Sequence, residues 1–253
     1  MSMLKKTEPT DAFRVEQLTV DFGGNDGGPL QDFSLAIRQG EITCLLGRSG
    51  CGKTTLLKSL GGFVVGRDTG GVLFEGRYIN GPTPDIVMIF QENNLFPWLT
   101  VRGNVEFGLK FKPKTKAREE AVNEMLKTVG LDEAAGRYPN ELSGGMRQRT
   151  AIARALVSDP HVLLLDEPFS ALDISLRRRM HALMLELWEK TGMTMVMVTH
   201  NIEEALQVGH RVVVLGDRPA RVLIDADTRS EALKDRYSPE FLALQQRIES
   251  VIY

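Results

Sequence analysis

This 253-residue chain has few cysteines, a formal net charge close to zero and no long apolar runs. Its two cysteines, Cys44 and Cys51, lie close together, one in an apolar run and the other in a glycine-rich loop. This spacing fits neither a disulfide framework nor a metal site, and it favours a reducing, cytosolic setting. The formal net charge of −2 gives no basic footprint, so nucleic acid is not an expected partner.

Apolar stretches long enough for a membrane are also missing. No window approaches the ~18 apolar residues that a membrane span requires. The two lysines of the opening stretch MSMLKKTEPT are followed by no apolar signal-peptide core. We therefore expect any membrane association to come through a partner.

Short apolar runs alternate with helical patterns along much of the chain. Such runs predict strands buried on both faces, and they cover residues 42–47, 85–90, 161–167, 193–200 and 211–215. Helical patterns cover 53–60, 174–190 and 201–208. Strand alternating with helix predicts an α/β fold with a mostly parallel, doubly wound sheet.

Two further regions differ from this core. Residues 14–22, 33–37 and 70–76 alternate apolar and polar side chains, which predicts a small antiparallel β-lobe. Residues 93–159 carry a helical stripe of Ala117, Ala121, Met125 and Val129 and a further helix after Ser143, which predicts an inserted helical subdomain. We expect one domain over 1–253, with 1–92 and 160–225 as β-lobe and core and 226–253 as a helical tail.

The stretch GRSGCGKTT, residues 47–55, matches the phosphate-loop pattern G-x-x-x-x-G-K-[ST] between a predicted strand and a predicted helix. The backbone N–H groups of such a loop converge on phosphates, the lysine reaches the β- and γ-phosphates, and the hydroxyl after it ligates Mg²⁺. The expected ATP contacts are Gly47, Arg48, Ser49, Gly50, Cys51, Gly52, Lys53, Thr54 and Thr55, with Thr54 also on the metal. The alternative is a glycine-rich turn that happens to precede Lys-Thr.

Carboxylates for the metal and the attacking water are expected in VLLLDEP, at the carboxyl end of a strand. Asp166 is expected to hold Mg²⁺. Glu167 is expected to polarise a water in line with the γ-phosphate. Seen alone, such a pair is more often capping or solvated, but a phosphate loop in the same chain favours the catalytic interpretation.

Three other residues follow strands in the same way. His200 can hydrogen-bond a γ-phosphate, and Gln91 can reach Mg²⁺ or the water; the alternatives are a structural histidine and a surface glutamine. Phe22 can stack on a base or serve as a core aromatic. Its DFG tripeptide is not evidence for a protein kinase, because no H-R-D loop or V-A-I-K strand accompanies it.

A second anion site is indicated by ELSGGMRQR, residues 141–149. Ser143, Gly144 and Gly145 precede a helical stripe, and the free N–H groups and dipole of a helix N-terminus favour an anion. An ordinary serine N-cap is the alternative. Two glycines in a first turn cost helix stability, which suggests a close approach to the backbone. The helical insertion would separate this stretch from Gly47, so we expect two chains to pair head to tail around ATP.

GRSGCGKTT, FQ, LSGGM, LLLDEP, SALD and VTH occur in this order, and the chain thereby resembles the ATP-binding subunits of ABC transporters over residues 13–225. The resemblance implies that Phe22 stacks on adenine and that Gln91 senses Mg²⁺ and the permease. It also implies that Ser143, Gly144 and Gly145 bind ATP across a homodimer, that Asp173 contacts the opposite subunit, and that His200 is the switch histidine.

Residues 81–109 and GDRPARV, residues 216–222, are similar to the nitrate, sulfonate and taurine importer ATPases, a group that includes pyrimidine-precursor transporters. The resemblance implies an importer ATPase that uses ATP and Mg²⁺ at the cytoplasmic face of the inner membrane, below permease subunits supplied by an extracytoplasmic solute-binding protein. Residues 96–98 would help receive the permease, unless they only pack the helical lobe. The alternatives are an exporter ATPase and a soluble ABC protein that acts on nucleic acid or ribosomes.

Overall fold

The structure is a computed structural model that describes residues 10–23, 28–66, 70–91, 94–110, 112–113, 115–170 and 172–253. The chain divides into two compact units. The first comprises residues 1–83 and 191–253, and the second comprises residues 84–190. Among the described residues, no helix has the length and apolarity needed to cross a membrane.

The first unit contains the predicted antiparallel lobe. Its strands are β1 (Asp11–Val20), β2 (Leu30–Arg38), β4 (Gly71–Phe74) and β5 (Arg77–Tyr78), in the order β2-β1-β4-β5. The alternating burial of β2 is the pattern of a strand with one solvated face. Phe13 of β1 is fully buried and stacks on Phe74 with ring centroids 5.2 Å apart.

The same unit holds parallel strands buried on both faces. Strand β3 (Ile42–Gly47) lies between β8 (Thr194–Val198) and β9 (Arg211–Gly216), parallel to both. All residues of β3 and β8 are buried, as continuous apolar runs require. Helix α1 (Lys53–Leu60) and helix α6 (Ile202–Val208) complete the alternation of strand and helix.

The end of the chain contains a strand that the sequence analysis missed. Strand β10 (Arg221–Asp227) runs antiparallel to β9, and its side chains are mostly exposed. Helix α7 (Pro239–Ile252) then packs on α6 and β9. It buries Phe241, Ile248 and Ile252, so the predicted helical tail starts later than expected and has an apolar face.

The second unit is mainly helical. It contains the parallel strands β6 (Ile86–Ile89) and β7 (Val162–Asp166). Its helices are α2 (Val101–Phe107), α3 (Lys116–Thr128), α4 (Gly144–Leu156) and α5 (Ile174–Thr191). The predicted stripe on α3 was wrong, because Ala117 and Ala121 are exposed and the buried residues are Val122 and Leu126, with Val129 after the helix.

The predicted fold class is confirmed. A mostly parallel set of buried strands, an antiparallel lobe and a group of helices between β6 and β7 are all present. This arrangement places the ends of β3 and β8 in one unit and the ends of β6 and β7 in the other. The candidate site residues therefore fall into two groups, one in each unit.

Candidate functional site

The phosphate loop connects β3 to α1. Gly47, Gly50 and Gly52 have φ angles of 148°, 82° and 107°, a region that L-residues with side chains rarely adopt. Gly52 is the N-cap of α1, and a Cβ there would lie 3.0 Å from the carbonyl oxygen of Pro29. The glycines thus allow the loop to fold tightly before a helix N-terminus, the arrangement that directs N–H groups at an anion.

Lys53 is held inside this loop. Its side chain is 8% exposed, and its Nζ donates hydrogen bonds to the carbonyl oxygens of Gly47 and Arg48 at 2.7 and 2.8 Å. Cys51 is buried, with its Sγ 3.9 Å from the same ammonium. Thr54 and Thr55 lie in the first turn of α1, where Thr54 is exposed. Arg48, Ser49 and Gly50 are exposed at the outer side of the loop.

His200 lies beyond the same edge of the sheet as Gly47. Leu45 pairs with Val198 in the parallel register, and the N–H of Thr199 donates to the carbonyl of Leu45 at 3.2 Å. His200 follows and is exposed. The structure therefore brings the phosphate loop and His200 to one edge, as their positions after strands predicted.

A buried pair behind His200 was missed by the sequence analysis. The hydroxyl of Thr199 donates to the carboxylate of Glu204, and both side chains are nearly fully buried. Asn201 caps α6 by accepting from the N–H of Glu204 at 3.0 Å. These contacts fix the turn that carries His200. An asparagine followed three residues later by a glutamate is a helix-start pattern that could have predicted this turn.

The strand that Phe22 follows is paired with a residue that lies beside Gly52, at the helix end of the phosphate loop. Phe22 follows β1, whose Val20 pairs with Leu30, and the Leu30 side chain lies 3.3 Å from a Cβ built on Gly52. The Phe22 side chain is 69% exposed. A core role for Phe22 is thus excluded, and its ring is available to a planar ligand.

Gln91, Asp166 and Glu167 lie together in the second unit. Ile89 of β6 pairs with Leu165 of β7, so Gln91 and Glu167 both follow the carboxyl ends of neighbouring strands. The Gln91 amide donates to the Glu167 carboxylate at 3.4 Å. Asp166 is 5% exposed at the end of β7. Glu167 has a φ of 48°, an uncommon backbone conformation for a residue other than glycine.

The turn after Glu167 is stabilised by its own main chain. The carbonyl of Glu167 accepts hydrogen bonds from the N–H and the hydroxyl of Ser170. Asp173 begins α5, where its carboxylate accepts from the N–H of Leu176 at 2.9 Å and the hydroxyl of Ser175 at 2.8 Å. These two donors lower the pKa of Asp173, which stays ionised at the exposed start of the helix.

Ser143 is the N-cap of α4, and its hydroxyl accepts from the N–H of Met146 at 3.3 Å. The two glycines after it differ. A Cβ on Gly145 would lie 2.4 Å from a terminal methyl of Leu176 in α5, so a larger residue there would require this leucine side chain to move. A Cβ on Gly144 would have only the Arg147 side chain within 4 Å, at 3.9 Å. A leucine side chain thus limits the space at Gly145, while among the described residues of this unit no comparable contact limits the space at Gly144.

An aromatic cluster lies on the second unit. Phe96 packs on Phe107 and Trp98, with centroids 4.3 and 5.5 Å away, and the guanidinium of Arg154 lies 5.3 Å from the Phe96 ring. The buried side chain of Asn104 bonds the main chain of Phe96, Leu99 and Thr100. Trp98 is 70% exposed. Phe96 therefore packs within the unit, whereas Trp98 points to solvent.

Comparisons with known proteins place this geometry among ATP-binding cassettes. Residues 30–170 match the ABC transporter family model. The chain is 40% identical to the taurine import ATP-binding protein TauB of Jannaschia sp. (strain CCS1), over 94% of this chain and 93% of the relative. It is also 40% identical to TauB of Escherichia coli (strain K12), over 95% and 96% of the two chains.

A solved structure agrees with the fold. The dimeric structure of a post-hydrolysis state of the ATP-binding cassette MJ0796, bound to ADP and Pi, superposes with a TM-score of 0.77 at 32% identity. The match covers 86% of this chain and 99% of that one.

Proposed function

The chain belongs to the ABC transporter family, and on that premise we propose that it is the ATP-hydrolysing subunit of an importer for taurine or a related small sulfonate. The observation that carries the solute class is 40% identity, over nearly the full length of both chains, to taurine import ATP-binding proteins. The family's activity is ATP hydrolysis, and no finding favours an exporter or a soluble ABC protein. A nitrate-type or pyrimidine-precursor solute is the alternative within the importer class.

Both groups of site residues are proposed to act on one bound ATP. Residues 47–55 would surround its phosphates, with Lys53 at the β- and γ-phosphates and Phe22 stacked on adenine. Thr54, Gln91 and Asp166 offer a hydroxyl, an amide oxygen and a carboxylate, which are the hard oxygen ligands that Mg²⁺ prefers, so these residues would hold it. The metal would supply charge neutralisation at the phosphate oxygens.

Glu167 is the proposed general base for hydrolysis. The Gln91 amide nitrogen lies 3.4 Å from the Glu167 carboxylate and would help to orient it. The positive φ of Glu167 turns the chain directly after the end of β7. The carboxylate would take a proton from the water as that water attacks the γ-phosphate. His200, fixed by the turn that Thr199 and Glu204 stabilise, would donate a hydrogen bond to the γ-phosphate oxygen on which charge develops.

A head-to-tail homodimer is proposed to complete each site. Ser143, Gly144 and Gly145 would bind the γ-phosphate held by the Lys53 of a second copy, and Asp173 would contact that copy. The helix N-terminus after Ser143 supplies free N–H groups and positive potential, and Gly144 leaves room beside them. The dimeric form of a structural neighbour bound to ADP and Pi supports pairing of two copies.

The permease is proposed to bind at Trp98 on the cytoplasmic face of the inner membrane, with an extracytoplasmic solute-binding protein delivering the solute. The exposed indole lies on a turn that buried Asn104 holds rigidly, and a rigid exposed aromatic is typical of interface anchors. No nucleic-acid partner is expected from the near-neutral charge.

Uptake of labelled taurine by the native host tests the proposal. Cells without the chain should lose uptake, the wild-type chain should restore it, and Glu167→Gln should fail. Glu186→Gln, which alters an exposed ion pair with Lys190, is the matched control and should restore uptake. Loss of nitrate or pyrimidine-precursor uptake instead would overturn the solute class alone. Unchanged uptake of all these solutes would overturn the importer.

A further inference from the structure

The phosphate loop is joined to the end of the last helix through one side chain. The Arg48 guanidinium donates through Nε to the carbonyl of Ile252 and through a terminal nitrogen to the main-chain oxygen of Tyr253, the latter at 2.8 Å. Carbonyls in the last turn of a helix have no partner within the helix and lie at its negative end. A loop residue far away in sequence thus satisfies the carbonyls at the end of α7.

Arg48 is also bonded to the phosphate-binding lysine. Its main-chain carbonyl accepts from Lys53 Nζ at 2.8 Å, so one residue contacts α7 with its side chain and Lys53 with its backbone. A displacement of the α7 end would therefore pull on the peptide unit that holds the Lys53 ammonium. The end of α7 and the Lys53 ammonium are thus connected through a single residue, by the side chain and the backbone carbonyl of Arg48.

The end of α7 is itself well anchored and lies close to the loop. Ile248 is fully buried and Ile252 is 7% exposed, and the helix packs on α6 and β9. Val251 shares a cavity of about 350 Å³ with residues 48–51 of the loop and 216–218 of the β9–β10 turn. The end of α7 thus lies beside the phosphate loop and is held there by its own buried residues.

We propose that Arg48 is a positioning residue that couples the C-terminal helix to Lys53, so that the end of α7 sets how firmly the phosphate loop binds ATP. The two charge-assisted hydrogen bonds hold the loop in one conformation, which reduces the entropy that ATP binding must otherwise remove. A factor that moves α7 would change ATP affinity without touching the nucleotide. The proposal depends on ATP binding and is independent of the transported solute.

A double-mutant cycle on the full protein tests the coupling. The variants are Arg48→Ala, a chain without residues 251–253, and the combination of the two. Each single change should weaken binding of Mg·ATP about 3- to 10-fold, the order expected for loss of a charge-assisted pair. The combination should be no weaker than either single change, because both remove the same interaction. Hydrolysis should show a raised KM with kcat within about twofold.

Two variants provide controls. Arg247→Ala removes an exposed arginine of α7 that is not among the described residues lining this cavity, and it should bind Mg·ATP as the wild type does. Arg48→Lys should recover part of the affinity, since an ammonium can bond one carbonyl but lacks the two-nitrogen geometry. If the shortened chain fails to fold, Val251→Pro takes its place, since a proline removes the N–H donor of residue 251 and clashes with the carbonyl of residue 247, which disrupts the last turn while retaining Ile252.

The outcomes are distinct. Additive losses in the cycle would mean that the Arg48 side chain, and not only its backbone, contacts the nucleotide directly, and they would overturn the proposal. So would wild-type affinity in the folded shortened chain or in Val251→Pro. Equal and non-additive losses support it.

Discussion

Glu167 is the residue of the second unit on which the proposed hydrolysis depends most directly. Its carboxylate accepts the amide of Gln91 at 3.4 Å, and it follows a buried aspartate at a strand end. Glu167→Gln keeps the size and the hydrogen-bonding capacity of the side chain but removes its ability to accept a proton. Turnover should fall about 10²- to 10⁴-fold, the usual contribution of a general base, while binding of Mg·ATP is retained.

The measurements are phosphate release and equilibrium binding of ATP by the purified protein. Glu186→Gln serves as the matched control, because it makes the same change on the exposed surface of α5. If Glu167→Gln hydrolysed ATP at the wild-type rate, the base would have to be another residue.

The start of strand β3 is held by a hydrogen bond to a neutral histidine. His210 precedes β9, and its Nδ1 accepts the N–H of Ile42 at the start of β3, which requires an unprotonated Nδ1. Burial lowers the pKa of His210 to about 4, with Lys234 and Arg229 contributing in the same direction and Asp227 opposing them. The unfolded chain binds this proton near the ordinary value of about 6.5.

Stability should therefore fall as the pH falls. Above pH 6.5 the ring is neutral in both states and the contribution is complete; between about 6.5 and 4 only the unfolded state gains the proton. The free energy of unfolding should drop by about 1–2 kcal/mol over this range, a value reduced from the full linkage because the ring is partly solvated. His210→Asn keeps a hydrogen-bond acceptor that does not titrate. In this variant the free energy of unfolding, measured by urea denaturation at a series of pH values, should depend less on pH between about 6.5 and 4. An equally steep profile in the variant would exclude His210 as the cause.

The elements that the sequence predicted well are those in which local pattern and tertiary burial agree. Strand β3 and helix α1 have the predicted bounds, since a continuous apolar run followed by G-x-x-x-x-G-K-T determines both the strand end and the helix start. Strand β10 was missed because its side chains are mostly exposed and only its pairing with β9 makes it a strand. The stripe on α3 was misplaced because alanine spacing gives no direction when larger Val122 and Leu126 compete for the core.

The candidate site residues were likewise predictable only where local pattern determines their position. Residues at strand ends, such as Gln91 and His200, could be placed from the edge rule for parallel sheets. The contact of Arg48 with Ile252 could not, because it joins residues separated by most of the chain and depends on where α7 packs. The closeness of Leu176 to Gly145 could not be predicted either, because it depends on how α5 packs beside α4.

At the scale of the whole molecule, the proposed ATP site requires residues from two copies of the chain. Gly144 is the position that tests this requirement, because the unit leaves space there and no packing contact requires a glycine. A carboxylate introduced at Gly144 would face the γ-phosphate of a second copy and repel it. Its effect should therefore be on dimerisation and hydrolysis, with ATP binding by the single chain preserved.

Glu167→Gln should form an ATP-dependent dimer, visible by size exclusion or light scattering, because ATP stays bound between two copies. The double variant Glu167→Gln, Gly144→Asp should remain monomeric at the same ATP concentration. Gly136→Asp is the matched control in the Glu167→Gln background, since Gly136 is exposed with open space around it and lies outside the 143–145 turn. That control should still dimerise. A dimer that forms equally well with Gly144→Asp would place the second phosphate contact outside this turn, and the head-to-tail arrangement would lose its physical basis.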